Sequence, residues 1–521
     1  MSGSNESPGH QHDRWSLAWI LTAAFVSGAA VMLVEIVGTR VLTPFFGVGL
    51  YVWSALLVVT LGSLSVGYYV GGWLADRHSG AALPFELIIA GAGVAIAPVL
   101  RVPLLRMLDG ADLRLGALVS ALILFGPALC AMGMVSTTAV KLAVQGSSET
   151  GRSAGLVYAV STLGSLLGTL MAGFWLVPNF PVSGILWTVA LVLVTMGLSG
   201  LRRPERKKAI PVAAVPLLLL SLIENDHTTG PWKILERRAS LYGELSVVED
   251  TSRDLPLRLL RADHSLIGAQ WEGGEPAFEF VHVLESAVPA QPSAKNALLI
   301  GLGIGSAAPY LIERGIEVDV VELDPGVVEL ARKHFGFQTN GQVFIQDART
   351  LLRTLDTQYD IIIHDTFTGG ATPEHLLSLE VMRLLRARLR PKGLLVLNLV
   401  GATRGEVSVA TRAVDTTIRE AFRYVRLFRD GPSKTEGRLR NLVFFASQYP
   451  IDFDWSLVDS DSSPARKRVF SQMFSWEVSS PLRGGRLITD ESNPIASLGT
   501  AVSEKHHAAM REMFPTEFWL Q

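Results

Sequence analysis

Ala297-Leu298-Leu299-Ile300-Gly301-Leu302-Gly303-Ile304-Gly305-Ser306, followed by Val318-Asp319-Val320-Val321-Glu322-Leu323-Asp324, decides the fold of the second half of the chain. An apolar run of strand length enters a glycine-rich turn, a short helical stretch (residues 307–314) returns, and a second apolar run ends on acids about twenty residues later. That is a nucleotide-binding βαβ unit. Gly301, Gly303 and Gly305 let the backbone approach a ligand closely. A carboxylate at the tip of the second strand, Glu322, can accept both ribose hydroxyls of an adenosine group. The run Gly303-Ile304-Gly305-Ser306-Ala307-Ala308 also fits a dinucleotide fingerprint, so the continuation must decide between the two ligands.

The continuation is Phe344-Ile345-Gln346-Asp347-Ala348-Arg349, then Tyr359-Asp360-Ile361-Ile362-Ile363-His364-Asp365, then Leu389-Arg390-Pro391-Lys392-Gly393-Leu394-Leu395-Val396-Leu397-Asn398. Each is a short apolar strand with a polar residue at its carboxyl end, the edge where open α/β sheets bind ligands. In this order the motifs resemble the class I S-adenosylmethionine-dependent fold. More narrowly they resemble the spermidine synthase (polyamine aminopropyltransferase) family, over residues 237–401. In that family a Glu-hydrophobe-Asp tip, an Asp-Ala or Asp-Gly adenine contact and a catalytic Asp closing the fourth strand follow one another in this way. The resemblance implies that Asp347 and Ala348 meet the adenine, and that Asp365 is the general base or the carboxylate that orients a cationic amine.

The 521 residues allow about three domains of ordinary size. Long apolar runs dominate residues 1–223, whereas residues 224–521 have the mixed charge of a soluble domain. The fold class expected is therefore a multi-pass α-helical membrane domain plus an α/β Rossmann-like domain of the S-adenosylmethionine-dependent methyltransferase type, preceded by a small β-domain. A formal net charge of −2 gives no basic excess, so a nucleic-acid surface is not indicated. The single cysteine, Cys130, lies in an apolar run, reads as a small core residue, and excludes a disulfide framework or a multi-thiolate metal site.

Residues 1–14 are polar, with His10 and His12 among them, and read as a solvated, disordered tail. Residues 15–34 are long enough to span and lack a small-residue cleavage site, so they should be retained as a helix. Further spans are expected at 53–74, 84–100, 113–135, 156–177 and 182–200, each near the ~20 residues that cross ~30 Å of hydrocarbon. Residues 209–223 are shorter and interrupted by Pro211 and Pro216, which fits either a seventh span or an interfacial segment. Small residues, as in Gly62-Ser63-Leu64-Ser65-Val66-Gly67 and Gly164-Ser165-Leu166-Leu167-Gly168, favour a compact bundle. Glu35, expected to flank the end of the first span beside Arg40, is either a functional acid or an interface residue paired on its own helix. Gly71-Gly72-Trp73-Leu74-Ala75-Asp76-Arg77 resembles the loop between the second and third helices of major-facilitator transporters, and of membrane-anchored spermidine synthase-like proteins. The basic cluster Arg202, Arg203, Arg206, Lys207 and Lys208 outweighs Arg101, Arg106 and Arg114 and places the amino terminus in the cytoplasm.

Residues 235–290 read as the small β-domain, opened by Ser240-Leu241-Tyr242-Gly243, which is similar to the Ser-x-Tyr-Gly of spermidine synthases. By that resemblance Gln270 contributes to the amine or thioether site; Phe278 or Phe280 falls where the family has Tyr, and His282 is off register and reads as a packing residue. The nucleotide fold runs over 295–447, closing with an antiparallel strand pair, and 448–521 form a C-terminal extension. The extension carries Leu487-Ile488-Thr489-Asp490-Glu491-Ser492-Asn493-Pro494, a motif similar to one near the end of membrane-anchored family members.

An S-adenosyl sulfonium already activates its neighbouring carbon, so the protein must bind the donor, orient a nucleophile in line and accept a proton. Two departures from the family stand out. Where spermidine synthases place the Asp that holds the aminopropyl ammonium, this chain has Ile304; where they place a second polyamine-binding Asp, it has Thr368. An ammonium in a dry site loses several kcal/mol without its counter-charge. Glu374 or His375 could supply a substitute contact. The reading is a membrane protein whose cytoplasmic domain uses decarboxylated S-adenosylmethionine, or S-adenosylmethionine, to alkylate a small-molecule amine such as putrescine, without a metal. A methyltransferase acting on a membrane-associated acceptor is the first alternative, favoured by Ile304; a transporter with an adenosyl-sensing domain is the second. The partners implied are the amine, the lipid bilayer and no nucleic acid, with a homo-oligomer left open.

Overall fold

A computed structural model describes residues 15–46, 50–78, 82–108, 113–145, 149–221, 231–263, 265–367, 373–405, 407–432, 438–457 and 462–495, and in the tail 502, 505, 506, 508–510, 514 and 518. Residues 1–14, the end of the 209–223 segment and Thr368 lie outside the described residues. The chain forms two compact units that divide at His227 and Thr228.

The first unit holds α1 (Leu17–Phe46), α2 (Leu50–His78), α3 (Leu83–Met107), α4 (Leu113–Gln145), α5 (Thr150–Met171), a π-helical turn (Ala172–Leu176), α6 (Val177–Asn179) and α7 (Val182–Ser199). Six of its helical segments are long and apolar enough to cross a membrane. Glycine sets how closely they approach: a Cβ on Gly67 of α2 would lie 2.2 Å from Cys130 O on α4, and one on Gly164 of α5 would lie 2.2 Å from Phe25 O on α1. Backbones thus touch, which is how helices pack where water does not drive them together. α1 continues past the expected end of the first span, so Glu35 and Arg40 sit inside the helix rather than flanking it, and Glu35 is 9% exposed. Likewise 71–77 are the closing turns of α2, where Lys141 of α4 pairs with Asp76. Glu86 of α3, not singled out by sequence, is buried and accepts from Thr138 Oγ1 at 2.9 Å. The proline-bearing segment forms α8 (Arg203–Ala213) and α9 (Val215–Ser221), divided at Ala214.

The second unit opens with an antiparallel meander: β1 (Trp232–Ser240), β2 (Gly243–Asp250), β3 (Leu257–Ala262) and β4 (Ser265–Trp271). Period-two alternation sends Leu245, Val247, Leu260 and Ala262 into the core shared with the nucleotide fold, and Val248, Leu257 and Leu259 into a second cluster. That second face is covered by Phe514 and Phe518 of the tail, packed on Trp232.

After α10 (Glu279–Glu285) and α11 (Ala287–Ala290) come β5 (Asn296–Ile300), α12 (Ala308–Glu313), β6 (Glu317–Glu322), α13 (Pro325–Phe335), β7 (Val343–Ile345), α14 (Ala348–Thr354), β8 (Tyr359–His364), α15 (Leu379–Ala387), β9 (Leu389–Gly401), α16 (Ser408–Ala421), β10 (Tyr424–Arg429), β11 (Arg440–Ser447) and α17 (Pro464–Gln472). The seven-stranded sheet has the order β10-β11-β9-β8-β5-β6-β7. β11 runs antiparallel to both its neighbours, and the pairs of β5, β6, β7, β8 and β9 are parallel. This is the arrangement of the S-adenosylmethionine-dependent methyltransferase-type fold, and both faces of the sheet are covered, as parallel strands require. The segments 235–290, 295–447 and 448–521 are not separate bodies. Ile451, Phe470, Met473 and Trp476 complete the core on one face of the sheet; Ile488, Ile495 and Val502 complete the other.

Candidate active site

Strand order reverses between the parallel neighbours β5 and β8: from β5 the sheet grows outward through β6 and β7, then returns to β8 and β9 on the other side. Ligands of open α/β sheets bind in the crevice at such a switch point. Here the strand ends are tied side by side, Gly301 N donating to Val321 O at 2.9 Å and Asp365 N to Ile300 O at 2.8 Å.

Gly301, Gly303 and Gly305 all have positive φ, a conformation that favours glycine. Each also makes room for a neighbouring part of the protein. A Cβ would meet Asp365 O at 2.3 Å from Gly301, Ile267 O at 2.7 Å from Gly303 and the Phe337 ring at 2.4 Å from Gly305. The turn is thus wedged between β8 and β4. Ile304, at its centre, is buried (4% exposed) in the core that joins the turn to the small sheet.

Glu322 ends β6 and holds this turn: its carboxylate accepts from Leu302 N and from Asp324 N, each at 2.9 Å. Burial raises its pKa, and the amide hydrogen bonds from Asp324 and Leu302 offset part of that rise. Asp324 caps α13, accepting from Gly326 N at 2.8 Å, and receives the Ser240 hydroxyl at 2.5 Å. Ser240 of the Ser-Leu-Tyr-Gly run therefore pins the small sheet to the nucleotide tip.

Asp347 caps α14, accepting from Thr350 N at 2.9 Å, and its other oxygen lies 3.1 Å from His375 Nε2. Burial pushes the Asp347 carboxyl up, but the hydrogen bonds from Thr350 and His375 bring it below the usual aspartate range. Ala348 follows as the first residue of α14 and is buried. After Asp365 the next described helical elements are a 3-10 turn (Glu374–Leu376) and α15, which is capped by Ser378 through Val381 N.

Asp365 accepts from Asn398 Nδ2 at 2.8 Å, and burial raises its pKa with that hydrogen bond as a partial offset. Asn398 Nδ2 also donates to Asn441 Oδ1 at 3.1 Å, and Asn441 Nδ2 to Asp430 Oδ2 at 3.3 Å. This file of polar groups crosses the carboxyl ends of β8, β9 and β10 and the amino end of β11, and sequence reading gave Asn441 and Asp430 no role. Asn398 Oδ1 and Thr366 Oγ1 are buried beside Asp365 with no hydrogen-bond partner among the described residues, polar atoms that a bound donor or acceptor can satisfy. His364, one residue earlier, is fully buried with neither ring nitrogen partnered among the described residues; burial pushes its pKa down to about 4, so the ring is neutral at pH 7.

Gln270 lies on β4, two residues after Gly268 and hence on the same strand face. Phe278 and Phe280 stack on each other with centroids 5.9 Å apart. His282 is buried with Nδ1 2.7 Å from Glu285 Oε2, and Glu285 is gripped by Arg466 at 2.7 and 2.9 Å, a buried ionic cluster under α17. Glu374 lends its backbone oxygen to Asn493.

Residues 281–428 match the spermine/spermidine synthase domain. The chain is 32% identical over 282 residues to an N-terminal histidine N-methyltransferase of Emericella nidulans, covering 46% of this chain and 50% of that protein. It is 28% identical over 198 residues to a polyamine aminopropyltransferase of Vibrio vulnificus, covering 36% of this chain and 66% of that one. With a polyamine aminopropyltransferase of Mycobacterium tuberculosis the identity is 28% over 419 residues, 74% of this chain and 77% of that one, so the likeness extends beyond the soluble unit into the helices. The chain spans half the length of the first of these relatives and just under two thirds of the second. The soluble unit is thus similar to the spermidine synthase-like proteins of the S-adenosylmethionine-type fold, with the domain match itself confined to residues 281–428.

Proposed function

We propose that the soluble unit is a transferase that alkylates an amine nitrogen, taking the aminopropyl group of decarboxylated S-adenosylmethionine to a diamine such as putrescine. The observation that carries this reading is Asp365: a half-buried carboxylate at the switch point, backed by Asn398 and set against the glycine turn that Glu322 holds. The donor's sulfonium supplies the electrophilic carbon. Glu322 receives the ribose hydroxyls, Asp347 and Ala348 border the adenine, and Gln270 faces the acceptor. As the C–N bond forms and the C–S bond breaks, the amine proton passes to Asp365, and a carboxylate whose affinity for protons is raised by burial suits that step. Methylthioadenosine leaves.

Methyl transfer from S-adenosylmethionine is a second reading, and Ile304 favours it. Its buried side chain fills the place where the family's Asp meets the aminopropyl ammonium, and the fungal relative is named for methylating a histidine nitrogen. We further place the helical unit in the cell membrane and the soluble unit on its cytoplasmic side, supported by the six apolar helices and by the basic residues from Arg202 to Lys208.

The test incubates the purified full chain, in bilayer discs, with each donor and a pooled extract of amines, peptides and lipids, and reads the nucleoside product by mass spectrometry. Methylthioadenosine with a diamine supports aminopropyl transfer; S-adenosylhomocysteine sinks it and establishes methyl transfer.

A further inference from the structure

The chemistry above leaves unused the tail motif Leu487-Ile488-Thr489-Asp490-Glu491-Ser492-Asn493-Pro494, yet its side chains reach back into the site. Asp490 receives both arms of the Arg349 guanidinium, Nη1 on Oδ1 at 2.9 Å and Nη2 on Oδ2. The Ser378 hydroxyl donates to the same Oδ1 at 2.6 Å, and Asp490 N donates to Glu380 Oε2 at 3.0 Å. Asn493 Nδ2 donates to Glu374 O at 2.9 Å, and Leu379 N to Ile488 O at 2.9 Å. Arg349 stands two residues after Asp347 on α14; Glu374, Ser378 and Glu380 belong to the stretch by which the chain returns from Asp365. Asp490 therefore joins the two segments that border the adenine end of the donor site. Farther along the tail, His506 packs edge-on against Phe367, centroids 5.0 Å apart, two residues beyond Asp365.

We propose that Asp490 is a positioning residue of the transferase site, which fixes residues 374–380 against α14 and keeps Arg349 away from Asp347. The argument is electrostatic. The Glu380 and Asp347 carboxylates also act on the Arg349 charge, but Glu380 Oε2 already accepts from Asp490 N, which leaves Asp347 as the competitor for the guanidinium. A two-armed Arg–carboxylate pair fixes direction as well as charge, and the Arg349 side chain is only 15% exposed, so screening is limited. With Arg349 committed to Asp490, Asp347 keeps one oxygen for Thr350 and the other for His375, with lone pairs remaining for an adenine amino group. Without Asp490, Arg349 turns to Asp347 and occupies those lone pairs, and the Ser378 cap loses its partner.

This inference rests on the donor reading above, and the test separates the two. The full chain is titrated by calorimetry with S-adenosylhomocysteine and with methylthioadenosine, as wild type, Asp490→Asn, Asp347→Ala and the double variant, with melting temperatures recorded for each. Asp490→Asn is expected to weaken binding on the order of tenfold, the scale of losing one charged hydrogen bond. The double variant should bind no more weakly than Asp347→Ala alone, because Asp490 acts through Asp347. Unchanged affinity, or two effects that multiply independently, overturns the proposal, as does a loss confined to melting temperature. If Asp490→Asn does not fold, Arg349→Lys, which keeps the charge but not the two-armed grip, must weaken binding in the same direction or the proposal fails. A wild type that binds neither nucleoside overturns the donor reading itself; a wild type that binds while Asp490→Asn binds equally well overturns only the positioning role.

Discussion

Ile304 is packed so tightly on Gly268 that a Cβ built on Gly268 would lie 2.7 Å from Ile304 Cγ2 and 2.8 Å from its Cγ1. The contact joins the glycine turn of the nucleotide fold to β4 of the small sheet, and with Ile267 O against Gly303 it makes the two one wall. On the donor reading proposed above, an alkyl group at that point offers an incoming ammonium no counter-charge.

Gly268→Ala puts a methyl where no space exists. We expect a loss of about 1–3 kcal/mol of stability, the usual penalty for overpacking a core, and partial recovery when Ile304→Val is added. Denaturant unfolding of the single and double variants measures both. A Gly268→Ala protein as stable as wild type, with no shift in midpoint, means that the turn yields and the wall is soft.

Glu322→Gln leaves one of two backbone amides, Leu302 N or Asp324 N, facing an amide NH2 instead of an acceptor. Binding of S-adenosylhomocysteine should weaken by about 1–3 kcal/mol, the range for losing a charged hydrogen bond. Calorimetry that finds equal affinity removes Glu322 from the ribose site.

Asp365→Asn keeps shape and still accepts from Asn398, but it cannot take a proton, so turnover should fall by about 10² to 10⁴. Stability should move the other way. The Asp365 pKa is raised in the folded state by burial, so its favourable contribution is complete below the unfolded aspartate range and is lost as pH rises through the folded value. The variant should therefore melt above wild type at pH 7, and the gap should close as pH falls into the ordinary aspartate range. Melting curves from pH 4 to pH 8 decide; a gap that does not narrow toward acid means the charge of Asp365 is already compensated.

Much of this was readable in advance because it is local. The βαβ glycines, the acid tips of β6 and β8 and the apolar spans each declare themselves within a few neighbouring residues. Contacts between distant segments do not. Asn398, Asn441 and Asp430 meet only because β11 inserts antiparallel beside β9, and Arg349 meets Asp490 across 141 residues of chain. Ile304 was visible as a departure from the family, but that it presses on Gly268 depends on how the small sheet docks. The tail motif had no visible purpose because its partners lie on α14 and α15.

Asn398→Ala removes the donor that favours the ionised form of Asp365, and the raised pKa of that carboxyl should rise further. The acid limb of the rate profile should then shift to higher pH, with maximal turnover retained better than in Asp365→Asn. A profile that only scales down, with its limb in place, assigns Asn398 to packing.

Topology tests the arrangement in the bilayer. If the six long apolar helices span, they return the chain to the side on which it began, and Arg202, Arg203, Arg206, Lys207 and Lys208 follow the last of them. The positive-inside rule places that cluster in the cytoplasm, where an adenosyl donor is available to the soluble unit. α8 and α9, split at Ala214, must then lie along the interface rather than cross. In a Cys130→Ser background, Lys207→Cys and Glu420→Cys should both resist a membrane-impermeant maleimide in intact cells and react after lysis; both positions are exposed. Labelling of Glu420→Cys alone from outside makes the segment from Arg203 to Ser221 a true span. Labelling of Lys207→Cys alone inverts the bundle and adds that span, and labelling of both puts the transferase site on the side away from its donor, an outcome at odds with either reading of the reaction.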